Sequence, residues 1–159
     1  MPGRWQHEVS SRRFLQLALV SLATLLAVIV SGAFVRLTGS GLGCEDWPNC
    51  GNTVLPATGG HALIEFGNRV GIVGTLVAWL ASRRVRDLPR RARRLALAAF
   101  LGTVAQAPLG GITVLLDLHP LAVMSHFLLA LTVLALSVAV VFEAWIAHAG
   151  LAAQSAPSW

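Results

Sequence analysis

The chain has 159 residues, of which 55% are hydrophobic and 12% charged, and its mean hydropathy is +0.70. Those proportions exclude a water-soluble globule, and a length that fits about four spanning helices of roughly 20 residues excludes a further large soluble catalytic domain. All 12 basic residues are arginine, giving a formal net charge of +5, and their placement described below points to membrane topology rather than to nucleic acid.

The first apolar run, Phe14 to Val35, follows Arg4, Arg12 and Arg13 and holds no charge. At 22 residues it exceeds the roughly 7–15 of a signal h-region, and no convincing Ala-x-Ala site follows, so it reads as a spanning helix. The next segment, Arg36 to Gly51, carries the only two cysteines, Cys44 and Cys50, among glycines and a proline that favour a compact loop. Trp47 suits the membrane interface. On an oxidising face the two cysteines are expected to join, as a staple over the helix ends in preference to a redox pair, since a thiol relay needs a second pair and the chain has none.

The second run, about 62–81, is apolar except for Glu65, Asn68 and Arg69. Ionisable groups inside a span are costly and are functional candidates. Glu65 and Arg69, four apart, also suit a local pair along one helix face. His61 precedes Asn68 by seven residues, about two helical turns, so His61, Glu65, Asn68 and Arg69 share one stripe. The segment 83–94 then places seven arginines in twelve residues. With the three at the N-terminus they mark the cytoplasmic side, so both termini are expected inside and the loops at 36–61 and 117–120 outside. The third run covers about 95–116, with Gly102, Gly110 and Gly111 relieving crowding, and the fourth about 121–146. Gly67 and Gly71 make a small-xxx-small pair that serves packing within one bundle as well as between copies.

His126 falls about five residues inside the fourth run, roughly 8 Å deep. A lone helical histidine is more often a packing residue than a ligand, but His61 is expected at a similar depth, and two imidazoles at one level form a haem clamp. His119, before Pro120, is expected in solvent, and His7 and His148 on the cytoplasmic side.

The expected fold is therefore all-α: an integral membrane four-helix bundle with both termini cytoplasmic. Its parts are a tail at 1–13, a transmembrane domain at 14–146 with the outer loop 36–61 and the arginine-rich loop 82–94, and a tail at 147–159 of small polar character. The expected location is the cell (plasma) membrane, multi-pass, with lipid as a partner and no nucleic acid.

Several stretches together resemble one family. Val35-Arg36-Leu37-Thr38-Gly39-Ser40-Gly41-Leu42-Gly43-Cys44 with Asp46-Trp47-Pro48 and Cys50, Ile64-Glu65-Phe66-Gly67-Asn68-Arg69, Leu109-Gly110-Gly111-Ile112-Thr113 through His119-Pro120, and His126 are similar to haem A synthase, in order, over about 30–140. That family usually has eight helices in two similar halves, and this chain resembles the N-terminal half. The resemblance implies a haem-dependent oxidoreductase that oxidises the C8 methyl of haem O to the formyl of haem A, with water as oxygen source, for cytochrome oxidase biogenesis. It implies a substrate haem held between two histidines in this half and haem B in the other. It also implies Glu65 as the essential glutamate, His126 as the fourth-helix iron ligand and Cys44–Cys50 as a disulfide. Where the family has Glu-x-x-His-Arg, this chain has Asn68, so an axial ligand is missing and His61 is the candidate replacement. Arg36 and Arg69 are candidates for the propionates, with a membrane-interface anchor an equal reading for Arg36. A half-length chain implies a homodimer or a complementary half chain, with haem O synthase as a supplying partner. Three other readings stay open: a non-catalytic haem-binding or assembly subunit of the same fold, a membrane thiol/quinone oxidoreductase, and a fragment of a longer gene product.

Overall fold

The computed structural model describes residues 9–37, 72–86 and 88–154, without the side chains of 35, 36 and 151–154. Among these residues there are four helices and no strand: α1 (Ser11–Leu37), α2 (Ile72–Ser82), α3 (Arg90–Leu115) and α4 (Pro120–Gln154). Three described segments are long and apolar enough to cross a membrane, Ser11–Phe34, Arg90–Leu115 and Pro120–Gly150. The chain is a membrane helical bundle. At 31 residues and 1.5 Å per residue, the last of these segments outruns a hydrocarbon core of about 30 Å, so α4 projects beyond it.

The helices exceed the apolar runs because residues without hydropathy still favour helix. Arginine is a good helix former, so Arg90–Arg94 make the first turns of α3 directly after Pro89, and the alanine-rich 147–154 prolongs α4. Described helix in the second run begins at Ile72 and ends at Ser82.

α3 and α4 form an antiparallel hairpin. α3 ends in a Schellman motif, Leu118 N–H donating to Thr113 O at 2.9 Å and Asp117 N–H to Val114 O at 3.0 Å. Asp117 (φ 48°) and Leu118 (φ 58°) are both left-handed there, a conformation that costs a leucine more than an aspartate. His119 is exposed, and its Nδ1 accepts from Leu121 N–H at 3.4 Å, at the start of α4.

Lipid tails are as apolar as leucine, so close packing of small side chains, rather than escape from water, holds such helices together. The core follows that rule. Ala81, Ala92, Ala96 and Ala144 surround the wholly buried Phe14, with Val85 and Leu88 tucked in from the segment between α2 and α3. Three contacts lock this arginine end. Val9 N–H donates to Arg84 O at 3.1 Å, Arg93 Nη2 to Val85 O at 3.0 Å, and Arg91 Nε to Glu143 Oε1 at 3.1 Å. Trp79 of α2 stacks on Phe100 of α3, centroids 5.1 Å apart and rings 4° from parallel, with the Arg83 guanidinium 5.6 Å from the Trp79 centroid.

Further along, all four helices meet around a void of about 10 Å³ lined by Ala18, Ser21, Thr75, Ala78, Ala96, Ala99, Ser137 and Val140, room for about one water. Beyond this level burial fades. Among the described side chains α1 buries none past Leu25 and α4 none before Val133, whereas α3 still buries Gly111 and Thr113.

Candidate functional site

The loosely packed end of the bundle holds His126, six residues into α4. Its ring lies against α3 at Gly110, where a methyl group would stand 3.3 Å from Cε1 and 3.8 Å from Nδ1. Any side chain at 110 would crowd the imidazole, so the glycine makes its seat. His126 is half-buried, and its Nδ1 is buried with no hydrogen-bond partner.

Two helical turns along α3, Gly102 meets α4 still more closely: a methyl there would stand 2.6 Å from Val133 Cγ2. Gln106 lies midway between the two glycines on the same face of α3, four residues from each. Its Oε1 is also buried without a partner. Sequence reasoning passed over Gln106, although a carboxamide in the middle of an apolar run was signal enough. Among the described residues, three hydroxyls of α3 and α4 are engaged with their own helices: Thr103 Oγ1 donates to Ala99 O at 2.8 Å, Thr113 Oγ1 to Leu109 O at 2.8 Å and Ser125 Oγ to Leu121 O at 2.8 Å.

Of the residues singled out from sequence, His126 is described with its side chain, and Arg36 is placed in the last turn of α1 by its backbone. His61, Glu65, Asn68, Arg69, Cys44 and Cys50 lie outside the described residues, as does the Arg36 side chain. The facing pair of imidazoles and the cysteine pairing are therefore not among the contacts above. Among the described residues no three His, Cys, Asp or Glu side chains gather into a group fit to hold a bare metal ion. What His126 offers is different: one imidazole, seated on a glycine. That suits one axial side of a flat macrocycle, whose other bonds come from its own nitrogens.

An apolar four-helix bundle with a half-buried histidine at one end defines a class of membrane proteins rather than one member of it. The family described as "Cytochrome oxidase assembly protein" matches residues 15–67. Heme A synthase of Symbiobacterium thermophilum is 36% identical over 117 residues, covering 69% of this chain and 38% of that protein. Heme A synthases of Bacillus mycoides and Bacillus cereus are each 33% identical over 124 residues, covering 73% of this chain and 40% of theirs. The chain belongs to the haem A synthase family, and it spans about two-fifths of the length of these curated relatives. No solved structure matches it.

Proposed function

We propose that this chain binds haem O in the membrane and takes part in its oxidation to haem A. The observation that carries the reading is the seating of His126 on Gly110 with Nδ1 turned into the protein, in a chain whose relatives are named for making haem A. Bound in this bundle, haem supplies both the iron that histidine ligates and the ring methyl that is oxidised.

The protein's part is to hold and orient. His126 would ligate the haem iron, and His61, the histidine nearest in sequence to Glu65, would be the second ligand in place of Asn68. Arg36 and Arg69 meet the propionates through charge-assisted pairs. Glu65 accepts a proton at its carboxylate from the water that delivers oxygen. Converting methyl to formyl with one water releases four protons and four electrons, and a second copy or a complementary half chain provides the route to an acceptor. The loops on the His126 side face out of the cytoplasm, with the arginine end inside.

A second reading has its own support: Asn68 replaces the family's histidine and the chain covers about two-fifths of its relatives. In that reading the protein binds haem without converting it. Chromatography of the haems extracted from protein purified in mild detergent, from a host making haem O but no haem A, separates the two. Haem A or its hydroxylated precursor is the expected result. Unconverted haem alone assigns a binding role, and absence of haem defeats both.

A further inference from the structure

We infer that Gln106 is a positioning residue for His126, its Oε1 accepting a hydrogen bond from a bridging water that in turn accepts one from Nδ1–H, which keeps the proton on Nδ1 and the Nε2 lone pair free for a ligand. This rests on the haem-binding reading above and adds to it a residue and a tautomer.

Three observations support the link. Gln106 Oε1 and His126 Nδ1 are both buried and both without partners, as are Ser137 Oγ and Arg93 Nε nearer the arginine end, and an unpaired polar atom in a membrane interior is costly. They lie in the same seam. His126 sits on Gly110, and Gln106 is one turn along that face of α3, about 6 Å of backbone rise, which the combined reach of a glutamine side chain and one water covers. Among the described residues, the hydroxyls of Thr103, Thr113 and Ser125 all bond carbonyls of their own helices.

The chemistry is directional. A carboxamide oxygen only accepts, so the chain of donors must begin at His126: Nδ1–H donates to the water, and the water donates to Oε1. Protonation at Nδ1 leaves Nε2 bare. A histidine that ligates a metal nearly always has its second nitrogen held in this way, and losing such a partner typically weakens binding 10- to 100-fold.

The test compares Gln106→Leu, Gln106→Glu and His126→Ala, each purified in mild detergent and checked by circular dichroism for intact helix. Ferric haem B is the titrant, followed by its absorption spectrum. Gln106→Leu is expected to bind about 10- to 100-fold more weakly, and Gln106→Glu, which keeps an acceptor, to bind as the parent does. Nitrogen-15 spectra of histidine-labelled protein without haem, with the His126 signal assigned by its loss in His126→Ala, are expected to show the Nδ1–H tautomer in the parent and a mixture in Gln106→Leu. An unchanged tautomer together with unchanged affinity in Gln106→Leu overturns the link. If His126→Ala binds haem like the parent, the haem-binding reading fails instead, and the tautomer alone then decides the role of Gln106.

Discussion

The imidazole of His126 occupies the space that a side chain at Gly110 would need, with Cε1 3.3 Å from the missing methyl. Gly110→Ala therefore sets two effects against each other. Alanine favours helix by up to about 1 kcal/mol over glycine, but the ring must retreat by a few tenths of an ångström. Unfolding stability should change by less than about 1 kcal/mol, while haem affinity falls by a clear multiple. A titration with ferric haem beside a denaturation curve checks both, and equal affinity in parent and variant would show that the seat is not needed.

Gly102 presents a harder case. A methyl at 2.6 Å from Val133 Cγ2 meets a β-branched side chain that has little rotamer freedom in a helix. Gly102→Ala should cost about 1–3 kcal/mol by forcing α3 from α4. Val133→Ala in the same chain should return most of that loss. A double-mutant cycle read by unfolding in detergent measures the coupling.

The turn between α3 and α4 stores strain at Asp117 and Leu118, both left-handed. Glycine adopts this conformation without a Cβ penalty, and non-glycine residues held there cost about 1–3 kcal/mol. Leu118→Gly is expected to raise the midpoint of thermal unfolding, and Asp117→Gly to raise it less.

Arg91 and Glu143 form an unequal pair, with 79% of the arginine side chain exposed and 13% of the glutamate's. Removing the exposed partner strands a carboxylate that has little water, so Arg91→Ala should destabilise, by about 1 kcal/mol at most given the screening at so open an arginine. Glu143→Leu removes the stranded charge altogether and should be neutral or stabilising. A loss of stability in Arg91→Ala and none in Glu143→Leu is the expected outcome of the two denaturation curves.

Hydropathy made the bundle legible, because long uninterrupted apolar runs have few other uses. It placed the first span at 14–35, within the observed Ser11–Leu37, and the third at 95–116 against Arg90–Leu115. It could not see that arginines continue a helix, so the start of α3 was placed five residues late. His126 was legible as a polar residue at a shallow depth. Its seat was not, since which glycine of three faces it depends on the register of α3 against α4, and no local pattern encodes that register. Gln106 escaped because an uncharged amide attracts less notice than Glu65 or Arg69, though in hydrocarbon its unpaired oxygen is costly too.

Among the described side chains burial is unevenly shared: Phe14 and Ala144 are wholly buried, whereas none beyond Leu25 in α1 or before Val133 in α4 is fully buried. Of the described residues, those at the arginine end thus form the anchored part of the bundle. Backbone amides should exchange with solvent deuterium in the same order, those near His126 first and those near Ala92 last.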